Sequence, residues 1–187
     1  MKNFAYYSKW ALRIGIGIAF IYSLIIRNWI GIAGGLAIFL STYIIDYINR
    51  NRKVISDDLV SLYSIFCIFA VVIGVMFNFY DVISWWDLLM HVFSGIILAI
   101  VGNSLLNSLL KGKKTNPTIR FFFLLGFACI GGVVWEIYEF AVDNILSIDT
   151  QRVATTLVND TMSDLITDVM GGLLASIYFA AFDKRGI

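Results

Sequence analysis

Six long apolar runs, separated by short polar connections, dominate the chain. They cover roughly residues 10–26, 29–48, 59–79, 88–110, 121–140 and 161–182. A bilayer-crossing helix needs about 20 predominantly apolar residues, and the runs are of that length. The pattern predicts an all-α fold: a polytopic membrane helical bundle of six transmembrane helices. Short connections leave no room for a soluble domain, so residues 1–187 read as a single integral-membrane domain. The first run follows Lys2 and Lys9 and reads as a signal anchor that stays in the mature chain, because no small-residue cleavage site follows it. No internal repeat is visible.

Composition agrees with this reading. The chain is 59% hydrophobic and 14% charged, with a mean hydropathy of +0.83. A soluble domain of this size could not hide so much apolar surface.

The placement of charge predicts the orientation. Lys2, Lys9, Arg13, Arg50, Arg52, Lys53, Lys111, Lys113, Lys114, Arg120, Lys184 and Arg185 fall on one side of the predicted spans. Only Arg27 and Arg152 fall on the other. Both termini are therefore expected in the cytoplasm. The opposite, outer side carries nine acids, Asp81, Asp87, Glu136, Glu139, Asp143, Asp149, Asp160, Asp164 and Asp168, for a formal charge of −7 against those two arginines. The net charge of +1 conceals this. The basic loops read as topology determinants that touch anionic lipid; Lys111 to Lys114 match no phosphate-binding loop, and no nucleic-acid partner is indicated. Pro117 falls in one of these loops. Cys67 and Cys129 each lie within an apolar span and read as small core residues.

Seven of the polar residues form a constellation. Asp87 and His91, the only histidine, are spaced i, i+4, about 6 Å along a helix axis and on one face. Glu136 and Glu139 are spaced i, i+3. Asp160, Asp164 and Asp168 form an i, i+4, i+8 stripe running roughly 12 Å inward. None of these stripes can face lipid cheaply, so a shared interior is expected. Six carboxylates there exceed the positive charge that Arg27, Arg152 and His91 can supply, so bound cations or protons must balance them. Asp87, His91, Glu136, Glu139, Asp160, Asp164 and Asp168 are the candidate metal ligands. Carboxylates with one imidazole suit one or two divalent ions of Zn, Mn, Mg or Fe. Such ions would activate a nucleophile or clamp a phosphate or carbonyl centre. Glu139, His91 and Asp164 are the candidate catalytic residues, Glu139 a candidate general base because it lies nearer the outer surface than Glu136.

Each polar group also has a structural reading. Asp81, Asp143 and Asp149 read as solvated loop or cap residues, Asp160 also fits an N-cap, and Asp46 reads as a solvated helix terminus. A structural polar core remains the alternative for the whole set. Trp29, Trp85, Trp86 and Trp135 map near the outer interface and Trp10 near the inner one, as an aromatic belt. Trp86 and Trp135 directly precede Asp87 and Glu136, and are candidates to wall a substrate site; Arg152 is a candidate contact for an anionic headgroup. Gly131-Gly132 and Gly171-Gly172 allow the fifth and sixth helices to approach closely. The Gly15/Gly17 and Gly34/Gly35 pairs are expected to pack the first two helices together.

Three motifs carry a family resemblance: Trp86-Asp87-x3-His91-x2-Ser94-Gly95, Trp135-Glu136-Ile137-Tyr138-Glu139 and Asp160-Thr161-x2-Asp164-Leu165-x2-Asp168. In this order, over roughly residues 80–175, the chain resembles the small bacterial integral-membrane family typified by YjdF. It is more loosely similar to VanZ-like proteins, which are linked to resistance to a glycopeptide antibiotic. It departs from them in having Glu139 where an amide is more usual and Asp168 where Asn is common. The resemblance implies the site and a bacterial plasma membrane, not a reaction. The aspartate stripe also resembles the diphosphate-binding motif of membrane prenyltransferases, but is one residue too long and lacks a second copy.

The expected function is a metal-dependent membrane enzyme, a hydrolase or transferase, acting on lipid or lipid-linked cell-envelope substrates. Two alternatives stand beside it: a non-catalytic membrane factor that binds a cell-envelope component or antibiotic, and a cation or proton-coupled transporter.

Overall fold

A computed structural model describes residues 2–51, 55–111 and 113–182. Arg52, Lys53, Lys184 and Arg185, used above to assign orientation, lie outside the described residues. Among the described residues every regular element is helical, and six helices are long and apolar enough to cross a membrane. The chain divides into two compact units, Met1–Trp86 and Asp87–Ile187.

The first unit holds α1 (Lys2–Ile25), α2 (Trp29–Ile48), α3 (Asp57–Cys67) and a one-turn α4 (Phe79–Val82). Helix α3 does not end at Cys67. It continues as a π-helix over Ile68–Met76, completing one apolar span. Leu12, Ile16, Ala19, Cys67, Val72 and Met76 form the core of this unit. Gly35 packs under Met76, where a Cβ would sit 2.9 Å from its sulfur, and Gly15 packs beside Val72. Gly17 and Gly34 face open space. Gly35 also lies against Ile16 of α1, 3.6 Å from a Cβ there, so it serves the α1–α2 contact as expected and receives the π segment besides, while Gly15 faces the π segment. Asn28 caps α2 through Gly31 N–H and donates its amide to the Val75 carbonyl at 2.7 Å, satisfying an acceptor at the π-helix end.

Asp46, near the end of α2, keeps 40% of its side chain exposed and is also ion-paired. It accepts from Lys9 and, at 2.7 Å, from Arg13, which is itself buried, bonded to Thr42 and stacked over Tyr43. The charged ends of α1 and α2 tie these helices together.

The second unit holds α5 (Trp86–Leu110), which begins at the boundary, α6 (Pro117–Leu146), a one-turn α7 (Val153–Thr156) and α8 (Asn159–Phe182). Helix α6 is longer than its apolar run; Asn116 caps its start and Ser147, in the left-handed region, ends it. Pro117 opens the helix rather than lying in a loop. Its fixed φ and missing N–H suit the first turn, and Asn116 accepts from Thr118 N–H at 2.7 Å. Arg120 is thereby drawn inside. It is 1% exposed and donates to Asn103 and Asn107 of α5, so it is a buried anchor and not a loop charge.

Large apolar side chains of this unit, among them Ile130, Ile137, Ile166 and Tyr178, point outward. Its buried positions include the small and polar residues Gly95, Gly132, Gly171 and Gly172 with His91, Glu136, Asp164 and Asp168, beside an apolar cluster of Ala99, Leu106, Leu124, Ala128 and Ala175. Large apolar side chains outward and carboxylates within suit lipid as the outer solvent. Ala128 meets Gly172 and Gly132 meets Asp168, so α6 and α8 run antiparallel. Gly95 lies against the Asp168 backbone carbonyl and Gly171 against that of Val92, bringing the backbones of α5 and α8 into contact.

Candidate metal centre

Three helices supply the site. Asp87 and His91 lie in the first two turns of α5, Glu136 in the C-terminal half of α6, and Asp164 and Asp168 on α8. The glycine contacts fix their level. Where Gly95 and Gly171 abut backbone, no side chain can separate α5 from α8, so groups one turn outward must meet.

His91 is at the centre and is buried. Its Nδ1 lies 3.1 Å from Asp168 Oδ2, and its Nε2 lies 3.7 Å from an Asp87 oxygen and 3.8 Å from an Asp164 oxygen. Asp168 also accepts from the Ser94 hydroxyl. With Nδ1 on Asp168, Nε2 is turned to the other two carboxylates. Asp87, His91 and Asp164 each offer one ligand atom, and these atoms lie within 4.8 Å of one another. Asp164 Oδ1 is buried with no hydrogen-bond partner among the described residues.

Glu136 is buried, and its Oε2 accepts from Gln151 Nε2 at 3.2 Å, while Oε1 has no partner among the described residues. Gln151 also reaches the Glu136 carbonyl and Thr161 Oγ1, both at 3.3 Å. Glu139 is half-buried and accepts from Trp135 Nε1 at 3.1 Å, and it interacts electrostatically with Glu136, Asp87, His91 and Asp164. Asp160, in the first turn of α8, interacts with Asp87, Arg152 and Glu136. The structure thus gathers all seven sequence candidates at one end of the unit. It puts Asp87, His91 and Asp164 in direct reach of one ion, with Asp168 behind the imidazole.

The aromatic and loop candidates separate. Trp86 is buried in the first unit, between Phe69 and Phe79 with ring centroids 6.2 and 5.2 Å away. Trp135 is about half exposed on α6 beside Tyr138. Arg152 sits at φ 51° before α7.

The family model described as "Predicted membrane protein (DUF2238)" matches residues 8–185. The chain belongs to this family. An "Uncharacterized protein" of Thermotoga maritima is 34% identical over 102 residues, covering 54% of this chain and 50% of the relative. The matched stretch thus spans about half the length of that relative. No solved structure matches. In this DUF2238 member, sequence reasoning missed two features of the site. Gln151 is one; nothing in helical periodicity marks a loop amide that folds back onto Glu136. The other is Asp143, expected as a solvated loop or cap residue. It lies in the last turns of α6 and accepts from Thr150 N–H at 2.7 Å, the Thr150 hydroxyl at 2.5 Å and Gln151 N–H at 3.0 Å. It is the clamp that sets Gln151 in place.

Asp143→Ala removes three acceptor contacts, each contributing about 1 kcal/mol. Hydrogen exchange at Thr150 and Gln151 is expected to speed up by roughly tenfold or more, with exchange in the middle of α8 unchanged. Unchanged protection at Gln151 would show that the clamp does not hold the loop.

Proposed function

We propose that this multi-pass membrane protein binds a divalent metal ion between Asp87, His91 and Asp164. Its activity would be metal-dependent hydrolysis or group transfer on lipid or lipid-linked substrates. The observation that carries the reading is the position of His91 Nε2. It stands 3.7 and 3.8 Å from two carboxylates while Nδ1 is held by a third. Ligands at zinc–nitrogen and zinc–oxygen lengths stand about 3.4 Å apart in a tetrahedron, so slight side-chain movement closes the set. A histidine ligand whose other nitrogen donates to a carboxylate is also the usual arrangement around protein-bound metals. One imidazole with carboxylates suits Zn, Mn or Fe(II). A bound ion would polarise a phosphoryl or carbonyl oxygen. Glu139, half-buried at the outer edge of the cluster, is then placed to take a proton, and Arg152 to meet an anionic headgroup.

The resemblance to YjdF-like proteins, and more loosely to VanZ-like ones, supports a bacterial plasma membrane. The charge asymmetry supports cytoplasmic termini and a site open to the outer leaflet.

Elemental analysis of detergent-purified protein beside the His91→Ala variant tests the metal. At least one equivalent of divalent metal is expected in the unaltered protein, and its loss in the variant. No metal in the unaltered protein, even after incubation with Zn, Mn and Fe(II), would sink the reading. His91 would then be an imidazolium neutralising three carboxylates in a structural cluster.

A further inference from the structure

Glu136 and Asp164 form a second acidic pair that the first metal position does not use up. The antiparallel register of α6 and α8 sets Ala128 against Gly172 and Gly132 against Asp168. One further helical turn in the same register brings Glu136 level with Asp164. The two are 5% and 2% exposed. Each has one oxygen engaged: Glu136 Oε2 by Gln151, and Asp164 Oδ2 facing His91 Nε2. Each has one that is not, Glu136 Oε1 and Asp164 Oδ1, both buried without a hydrogen-bond partner among the described residues. A carboxylate oxygen removed from water without a donor is unfavourable. Two of them at one level on packed helices share a need for positive charge.

We propose that Glu136 and Asp164 hold a second divalent cation, with Asp164 bridging it to the ion at Asp87 and His91. This rests on the reading of the first position as a metal site. Gln151 fixes Oε2 and thereby leaves Oε1 as the ligand atom of Glu136. Glu139, one turn outward and electrostatically coupled to both Glu136 and Asp164, is the next carboxylate available to the same ion. The second position differs from the first in chemistry. It has only oxygen ligands, which select a hard ion such as Mn or Mg, whereas the imidazole at the first also suits Zn or Fe(II). Paired ions about 3.5–4 Å apart clamp the oxygens of an in-line displacement at phosphorus. The pair therefore favours a phosphoryl-bearing substrate over an acyl one.

Mn2+ is the probe, added to the full chain in detergent micelles. Calorimetry gives the stoichiometry, and low-temperature electron paramagnetic resonance tells coupled ions from isolated ones. Two equivalents with an exchange-coupled spectrum are expected for the unaltered protein. Glu136→Gln, nearly isosteric and able to keep its contact with Gln151, is expected to bind one equivalent with the six-line spectrum of isolated Mn2+. One equivalent in both proteins, uncoupled, would overturn the second position and leave the first standing. No Mn2+ bound to either, with none of the other divalent ions bound, would overturn both. Two coupled equivalents persisting in Glu136→Gln would also overturn the assignment, because Glu136 would not be a ligand.

Discussion

Gly171→Ala is expected to destabilise the protein by about 3 kcal/mol or more, and Gly126→Ala to leave it unchanged or slightly more stable. Both glycines are helical and both belong to the second unit. They differ in what an added methyl would meet. At Gly171 it would land on the Val92 carbonyl oxygen, with the Val92 carbonyl carbon at 2.9 Å and Ile96 N at 3.1 Å. These are backbone atoms of α5 and cannot rotate away. Overpacking against movable side chains costs about 1–3 kcal/mol; against backbone the two helices must separate. At Gly126 no atom lies within 4 Å, and alanine gains up to about 1 kcal/mol of helix propensity. For a chain of this size, 3 kcal/mol lowers the midpoint of thermal unfolding by about 6–12 °C. A fall of under about 2 °C for Gly171→Ala, less than the shift from 1 kcal/mol, would mean that α5 and α8 are not in backbone contact. The same substitution also reaches the site. Val92 follows His91, and Gly171 lies one turn from Asp168, so parting the helices there also parts the imidazole from its carboxylate.

The six spans are legible in the sequence because each is a run of apolar residues of bilayer length, and lipid, unlike water, leaves no other use for such a run. The convergence of the three acidic motifs is legible for the same reason, since none can face lipid. Their division of labour is not. A spacing of i, i+4, i+8 puts Asp160, Asp164 and Asp168 on one face but says nothing of which imidazole nitrogen each one meets. That depends on Gly95, Gly132 and Gly171 letting the helices close on one another. The ends of α6 lie beyond its hydrophobic pattern because Pro117 and Asp143 look like breaks. Pro117 instead suits the first turn by lacking an N–H, and Asp143 accepts from the N–H groups of the loop beyond. The π segment leaves no mark in the hydrophobic pattern, since every residue from Ile68 to Met76 is apolar or glycine and any register looks alike. The ion pairs of Asp46 leave no mark in its own helix because its partners, Lys9 and Arg13, lie on another.

Asp168→Ala is expected to weaken metal binding about 10–100-fold without removing any ligand of the first position. Asp168 is 1% exposed and sits where contacts from α5 and α6 converge on it. His91 Nδ1 and the Ser94 hydroxyl donate to it. Gly132 makes room for it, since a Cβ there would stand 2.6 Å from Oδ2, and Gly95 lets its backbone carbonyl approach α5. In the proposed role the carboxylate holds the proton on Nδ1 and so presents Nε2 to Asp87 and Asp164. Without it the ring is free to rotate and to exchange tautomers, and part of the metal's binding energy goes into restoring one orientation. The readout that separates orientation from packing is nitrogen NMR of the imidazole, unambiguous because the chain has one histidine. Before metal is added, the unaltered protein is expected to hold its Nδ1 proton, and Asp168→Ala to show a mixture or the reverse. Ser94→Ala removes one of the two donors to Asp168 and is expected to give a shift in the same direction but smaller. An unchanged imidazole spectrum together with unchanged affinity in Asp168→Ala would remove Asp168 from any part in positioning His91. It would then be no more than a carboxylate buried between two glycines.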